Sequence, residues 1–149
     1  MIAIEEMEEK DRQAVVEMMR VFYDSPAVFH DVPEDTLKRN VEACISENPF
    51  VEGFVFREEG QVAGYGMIAK SFSTEFGGNC IWVEDLYLKP EYRGGGTGTQ
   101  FLSFVEERYR GQAVLLKLEV EEENANAIQV YEKCGYRELP YMEMIKELS

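Results

Sequence analysis

The sequence predicts an α/β domain in which a mixed, mostly antiparallel sheet is flanked by helices. Two helical patterns follow a short first strand, three β-rich runs joined by turn signals come next, and a glycine-rich loop then joins a strand directly to another helix. Hydrophobic residues make up 45% of the 149 residues, which is enough for one substantial core. No repeat, linker or low-complexity stretch divides the chain, so we expect one domain over residues 1–149.

The first part of the chain is predicted to hold one strand and two helices. Residues 1–6 alternate enough to form a strand, and residues 11–24 have helical spacing that ends before a Ser-Pro pair. A loop that carries His30 follows, and a second helix is expected over residues 33–48, with proline near its first turn. The apolar positions at helical spacing are Val15, Met18, Met19 and Phe22 in the first helix, and Leu37, Val41, Cys44 and Ile45 in the second.

The middle of the chain predicts three antiparallel strands. The β-rich runs are residues 50–57, 61–72 and 80–88. Glu58-Glu59-Gly60 is a hairpin signal between the first two, while Gly64 and Gly66 weaken the second strand or mark bulges in it. Residues 114–120 form a later, nearly continuous apolar run, which predicts a strand that is buried on both faces.

A glycine-rich run follows the third of these strands. The strand stops at Pro90, Arg93 opens the run of residues 94–98, and a helical pattern begins directly after it. A strand, a glycine loop and a helix in this order aim several backbone N–H groups, and the positive end of the helix dipole, at an anion. Glycine also lets a ligand approach the backbone without a Cβ in the way. The stretch therefore predicts a loop that binds a diphosphate.

Three phosphate-binding patterns can be compared with this loop. The nucleotide P-loop requires a lysine after the glycines, and none is present. The dinucleotide fingerprint GxGxxG has Glu119, about 20 residues on, in its favour, but Thr99 stands where its last glycine should be, and a long β-rich half precedes the run. The third pattern, (R/Q)xxGx(G/A), is met by Arg93, Gly96 and Gly98.

A second group of residues follows the strand that ends near Val120. Asn124 can cap a helix that Gly135 ends. Asn124, Ala127, Ile128 and Tyr131 lie at i, i+3, i+4 and i+7 of that helix, so they share one face. From spacing alone, Tyr131 is either an ordinary core tyrosine or a functional group at the open end of the preceding strand.

Taken together, the two motifs resemble the signature of the GNAT N-acetyltransferases. The first is the (R/Q)xxGx(G/A) loop, and the second is NxxAxxxYxxxG(Y/F), which ends at Tyr136; together they cover residues 83–136. The stretch IWVEDLYLKPEYRGGGTG is most similar to polyamine and diamine acetyltransferases, which carry an acidic pair in this strand. The loop departs from the commonest form at Gly95 and Thr97. The resemblance implies the GNAT fold, in which a parallel strand pair opens onto an acetyl-CoA cleft.

The resemblance also implies the reaction and the residues that take part in it. GNAT enzymes transfer acetyl directly from acetyl-CoA, as co-substrate, to an amine, and the sequence accordingly offers no arrangement for a covalent nucleophile. Tyr131 would protonate the leaving thiolate, the strand residues would pair with the pantetheine arm, and the loop would hold the pyrophosphate. The residues implied to bind the cofactor are Leu86, Tyr87, Leu88, Arg93, Gly94, Gly95, Gly96, Thr97, Gly98, Thr99, Asn124, Ala127 and Tyr131.

Glu84 is the candidate general base. Strict alternation would place it on one strand face with Leu86 and Leu88, at the cleft end of a half-buried strand, where its pKa can rise. The alternative is an exposed glutamate that pairs with a neighbouring strand. His30 is the other candidate base, and three acidic residues could add negative charge at the acceptor mouth: Asp24, Asp31 and Glu34.

Charge and cysteine content narrow the partners. Fifteen basic against 29 acidic residues give a net charge of −14, so nucleic acid and anionic membranes are poor partners. The charge by itself fits either plain solubility or a cationic substrate. Together with the resemblance to polyamine and diamine acetyltransferases, it makes a small cationic amine the acceptor that we expect. Three cysteines without metal-ligand spacing fit a reducing cytoplasm and no metal site. No apolar run reaches the ~20 residues of a membrane span. A homodimer, an acceptor on a protein N-terminus or lysine, and a non-catalytic acetyl-CoA-binding module stay open.

Overall fold

The computed structural model describes residues 2–25, 28 and 30–149. Its elements, in chain order, are β1 (Ile2–Glu6), α1 (Arg12–Tyr23), α2 (Glu34–Ile45), β2 (Val51–Glu58), β3 (Gln61–Ser73), β4 (Gly78–Leu88), α3 (Thr97–Tyr109), β5 (Leu115–Leu118) and α4 (Ala125–Lys133). The five strands form one sheet in the order β1-β2-β3-β4-β5. Neighbouring strands are antiparallel except for β4 and β5, which are parallel. The predicted fold class is confirmed.

Apolar side chains cover both faces of the sheet, because successive strand residues point to opposite sides. Val55 and Tyr65 belong to a core under α1 and α2, which we call the α1–α2 core. Phe54 and Phe56, on the other face of the same strand, pack against Phe101 in a second cluster, which we call the α3 core. The helices therefore dock through the apolar stripes that the sequence predicts for them.

Close contact between α3 and the sheet depends on Gly66. A Cβ added at Gly66 would lie 2.5 Å from Cζ of Phe101, a separation that real contacts do not reach. Phe101 is fully buried, so the ring cannot move away into solvent. The glycine in β3 is thus a packing requirement, and it fixes how near the start of α3 comes to the sheet. The strand is also bulged nearby, since the β2–β3 register shifts after Phe56.

The strand β5 is shorter and less buried than the sequence indicates. It spans Leu115–Leu118, and all four residues are half-buried rather than buried on both faces. The reason is its place at one end of the strand order, beside β4 only. Residues 137–149 have no regular secondary structure, and Tyr141 among them donates a hydrogen bond from its hydroxyl to Glu75 Oε2 at 2.8 Å. In the part of the chain that the structure describes, no helix is long and apolar enough to cross a membrane.

Candidate active site

The glycine loop lies between the end of β4 and the start of α3. A short 3-10 turn, Pro90–Tyr92, leads into it. Gly94 and Gly96 have φ angles of 88° and 83°, in the left-handed region that residues with a Cβ rarely adopt. Gly96 is also the N-cap of α3. Backbone conformation therefore accounts for two of the glycines.

Gly95 and Gly98 have no such conformational reason. A Cβ at Gly95 would meet nothing within 4 Å, and one at Gly98 would meet only Leu86 Cδ2, at 3.8 Å. Gly98 lies inside α3, where glycine is less favourable than alanine by roughly 0.5–1 kcal/mol. The first N–H groups of a helix lack intrahelical acceptors and form its positive end. Free N–H groups beside absent side chains are what a bound diphosphate requires, so the residues of the loop fit the CoA pyrophosphate.

Arg93 folds back from this loop onto the end of β4. Its Nε donates a hydrogen bond to the carbonyl oxygen of Leu88 at 2.8 Å. Its guanidinium carbon lies 5.6 Å from the centre of the Tyr87 ring. These two contacts place a positive charge directly beside the glycines, where an anionic ligand would need it.

The parallel strands β4 and β5 separate just before the loop. They pair over four residues each, from Cys80↔Leu115 to Val83↔Leu118. Beyond Val83, β4 continues to Leu88 with β3 on one side, whereas β5 has already ended. Within the described part of the chain, no strand pairs with the other edge of residues 84–88, and such an edge can pair with an added extended ligand. The predicted opening between the parallel strands is confirmed, and Leu86, Tyr87 and Leu88 lie beside it.

Glu84 occupies a β-bulge, which the alternation argument did not foresee. The β3–β4 register pairs Ile68 with Val83 and Met67 with Asp85, so Glu84 has no Cα partner. The bulge resets the side-chain alternation: Val83 and Leu86 both pack into the α3 core, while Asp85 turns to the other face. Simple alternation along the whole strand therefore does not hold, because one extra residue shifts the phase of the strand. That Glu84 shares a face with Leu86 and Leu88 stays a prediction.

Several acidic groups surround Glu84 at the open end of the strand pair. The side chain is exposed, yet neighbouring protein atoms displace part of its hydration, and this desolvation, followed by repulsion from Asp85 and Glu143, raises the pKa of Glu84 above its usual range. Glu119, just beyond β5, shares a hydrogen bond with Glu143. That bond, with burial and repulsion from Glu143 and Glu84, raises the pKa of Glu119 to about 7.

Asp85 is a buried carboxylate that the motifs in the sequence do not single out. Its side chain accepts hydrogen bonds from Tyr23 at Oδ1 and from Tyr65 at Oδ2, each at 2.8 Å. Only 3% of the residue is exposed. Burial raises the pKa of Asp85, and the two tyrosine bonds oppose part of the rise. The signal in the sequence was an aspartate two residues before Tyr87, whose side chain belongs to the α1–α2 core.

Asn124 and Tyr131, from the second motif, lie at the start of α4 and within it. Asn124 is the N-cap of α4, and its Oδ1 accepts a hydrogen bond from the N–H of Ala127 at 3.3 Å. Tyr131, further along the same helix, packs against the α3 core, as do Leu86 and Leu88. Burial, with a smaller contribution from Cys134, raises the pKa of Tyr131, so its hydroxyl stays protonated at neutral pH.

The glycine loop and the buried carboxylate of Asp85 lie on different sides of β4. The glycine loop, Leu86, Leu88 and Tyr131 belong to the α3 side of the sheet. Tyr23 and Asp85 belong to the α1 side, and Glu84 lies at the bulge next to them. At the bulge, beside the unpaired edge of β4, the alternation of side chains between the two faces of the sheet shifts by one residue.

The other candidate groups lie elsewhere. Asp24 forms an ion pair with Arg20 at 3.0 Å at the end of α1, and Asp31 and Glu34 are exposed. His30 lies between α1 and α2, in a loop whose residues 26, 27 and 29 are outside the described part. Cys44, Cys80 and Cys134 are free thiols, and the described residues contain no group of three or more His, Cys, Asp and Glu side chains that could hold a metal ion.

Comparison with known proteins adds independent evidence. A model of the acetyltransferase (GNAT) family matches residues 12–136. Thialysine N-epsilon-acetyltransferase of Sus scrofa is 29% identical over 151 aligned positions, covering 93% of this chain and 85% of that protein. The same enzyme of Bos taurus is 39% identical over 79 positions, which cover 52% of this chain and 46%, or less than half, of the relative.

Solved structures share the fold at low sequence identity. A possible acetyltransferase from Clostridium difficile 630 superposes with a TM-score of 0.85 and 22% identity, over 99% of this chain and 98% of that one. The aminoglycoside N-acetyltransferase AAC(6')-Iy, in complex with CoA, gives a TM-score of 0.81 at 12% identity, over 100% and 96% of the two chains. The mixed sheet, with the glycine loop after its fourth strand rather than its first, also excludes the dinucleotide-binding alternative. The chain therefore belongs to the acetyltransferase (GNAT) family, as an acetyl-CoA-dependent N-acetyltransferase.

Proposed function

We propose that this enzyme acetylates a primary amine of a small, cationic acceptor, resembling a diamine or polyamine. The observation that carries the proposal is the group of carboxylates at the open end of the β4–β5 pair. Glu84 and Asp85 are adjacent on β4, and Glu119 and Glu143 lie within electrostatic reach of Glu84. A protonated amine that enters this end of the cleft would meet negative charge from three segments of the chain.

The cofactor is assigned to the other part of the cleft. The free N–H groups of the glycine loop, with Arg93, would hold the pyrophosphate. The unpaired edge at Leu86, Tyr87 and Leu88 would pair with the pantetheine arm as an added strand does. Acetyl-CoA supplies the activated acetyl group. Its thioester would then lie near the bulge, between the carboxylates and Tyr131.

The residues of the chain would move the protons. The acceptor arrives as an ammonium ion and must lose a proton before its nitrogen can attack the thioester carbonyl. Glu84 accepts that proton, directly or through water. As the C–N bond forms and the C–S bond breaks, Tyr131 donates its hydroxyl proton to the leaving sulfur, and the proton released by the new amide nitrogen restores the phenol. The raised pKa of Glu84 suits a base that works near neutral pH, and the raised pKa of Tyr131 keeps its hydroxyl protonated until the thiolate forms.

The curated relatives support an amine acceptor without fixing its identity. Their name specifies the ε-amino group of thialysine. The excess of 14 negative charges in this chain favours cationic acceptors in general, because the field of the protein attracts them during approach. A diamine, a polyamine and thialysine are accordingly the first acceptors to compare.

The test is a thiol-release assay with acetyl-CoA and a panel of amines. We expect spermidine, putrescine and thialysine to exceed neutral and acidic amines in kcat/KM. We also expect kcat/KM to fall as salt rises, because salt screens the attraction of the cationic acceptor, with a Debye length of about 8 Å at physiological ionic strength. Glu84→Gln should lower kcat and abolish the acidic limb of the pH–rate profile. An enzyme that prefers a lysine peptide or an anionic amine, is indifferent to salt, and keeps its pH profile in Glu84→Gln would contradict both the acceptor class and the base.

A further inference from the structure

We propose that Asp85 is a positioning residue: its carboxylate, held by Tyr23 and Tyr65, keeps Glu84 able to accept a proton near neutral pH. The proposal rests on the proposed function only in naming Glu84 as the base. Asp85 itself lies below the cleft and would not touch the acceptor, because it is almost fully buried. Its effect on the reaction would pass through its neighbour.

The geometry holds the Asp85 carboxylate from two directions. Tyr65 is fully buried in β3 and donates to Oδ2, and Tyr23, the last residue of α1, donates to Oδ1. Tyr23 and Tyr65 lie 62 and 20 residues before Asp85 in the chain, respectively. The bulge at Glu84 makes the arrangement possible, since it turns Asp85 toward the α1–α2 core while leaving Glu84 at the strand edge.

The charge of this carboxylate is not balanced by a cation. Within the described residues, the groups that face Asp85 are the hydroxyls of Tyr23 and Tyr65, the thiol of Cys44 on α2, and Glu84. Two hydroxyl donors, one on each oxygen, suit an ionised carboxylate, which only accepts hydrogen bonds. Cys44 responds to the charge: burial, then Asp85 and Glu52, raise its pKa to about 12.

Glu84 is the titratable group that solvent and an acceptor can reach from this arrangement. The groups that face it are Asp85 on its own strand, Tyr23 on α1, Glu119 after β5 and Glu143 in the C-terminal segment. Among these, Asp85 contributes the largest repulsion. A negative charge held beside a carboxyl group disfavours its ionised form, so Asp85 raises the pKa of Glu84.

The test measures Glu84 directly in the free protein, before any acceptor is chosen. Carboxyl ¹³C NMR should show the titration midpoint of Glu84 falling by about one unit in Asp85→Asn, because removal of the negative charge makes Glu84 a stronger acid. Cys44→Ala is the matched control, since it changes a side chain that faces Asp85 but leaves the carboxylate and both of its tyrosine donors, and there the midpoint should not fall. An unchanged midpoint in Asp85→Asn, or an equal fall in Cys44→Ala, would overturn the proposal.

Wild-type protein provides a second measurement in case Asp85→Asn does not fold. The Asp85 carboxyl signal should report an ionised group throughout the pH range in which Glu84 titrates. A neutral Asp85 in that range would end the proposal by itself.

Kinetics with acetyl-CoA and spermidine then separate this proposal from the assignment of the base. In Asp85→Asn the acidic limb of the kcat/KM profile should move to lower pH, whereas in Glu84→Gln it should disappear. A limb that persists in Glu84→Gln removes the base assignment but leaves the NMR result on Asp85 intact. A lower kcat in Asp85→Asn with an unmoved limb would reduce Asp85 to a purely structural role.

Discussion

Gly98 offers the sharpest separation of stability from cofactor binding. It lies in the first turn of α3 outside the left-handed region, and a side chain there would meet only Leu86 Cδ2, at 3.8 Å. Gly98→Asp should therefore leave the free protein folded. An aspartate in the first turn interacts favourably with the helix dipole, by about 0.3–1 kcal/mol, and loses the conformational penalty of glycine. The melting temperature should stay the same or rise.

The same substitution should remove most of the affinity for CoA. The new carboxylate would lie on the order of 5 Å from a diphosphate that carries about two negative charges. Each pair of unit charges at that distance repels by about 0.8 kcal/mol in bulk water and about 3 kcal/mol at an effective dielectric constant of ~20. The total is about 2–6 kcal/mol, so the dissociation constant should increase at least about 30-fold.

Isothermal titration calorimetry with CoA, together with thermal denaturation of the free protein, measures both effects. Gly98→Asn separates the charge from the added volume, because it has the same shape without the carboxylate. Ser103→Asp is the matched control on the same helix: Ser103 is exposed and lies beyond the first turn, so the charge should not reach the loop. Unchanged CoA affinity in Gly98→Asp would show that the start of α3 does not bind the pyrophosphate. A large drop in melting temperature would show that a side chain at position 98 has no room in the free protein.

Three further predictions concern the acid, the carboxyl pair and the core. Tyr131→Phe should lower kcat by about 10²–10⁴-fold with CoA affinity nearly unchanged. A thiol-release assay measures kcat and calorimetry measures the affinity. Normal turnover would show that Tyr131 only packs in the core and is not the acid. Because the pKa of Glu119 is raised to about 7 by its bond to Glu143, the stability that the shared proton provides is present at acid pH and lost as pH rises through 7. Urea unfolding at pH 5.5 and 8 should show that loss, and Glu143→Gln should flatten it; an equal pH dependence in the variant would refute the pairing. Gly66→Ala should destabilise the protein by about 1–3 kcal/mol through its clash with Phe101, and Phe101→Leu in the same chain should restore part of the loss.

Local patterns in the sequence were sufficient for most of the elements. Helical spacing located α1, α2 and α3, the Glu58-Glu59-Gly60 signal located the first hairpin, and Asn124 caps α4 as its residue type predicts. The glycine loop could also be recognised from the chain alone, because the order of strand, glycines and helix involves only neighbouring residues. These features depend on interactions within a few residues, which is why they can be read without the fold.

The acceptor side of the site depended on the tertiary structure. Whether Glu84 faces Leu86 or stands alone at a bulge is decided by the register between β3 and β4, and one extra residue in one strand reverses the answer. The contact of Asp85 with Tyr23 and Tyr65 joins residues that the sequence separates by 62 and 20 positions. Local periodicity assigns a residue to a face of its own element, but it carries no information on which distant side chain that face will meet. The glycine loop, to which we assign the cofactor, was therefore determined by the sequence itself, whereas the surroundings of the proposed base were decided only when the strands and helices packed together.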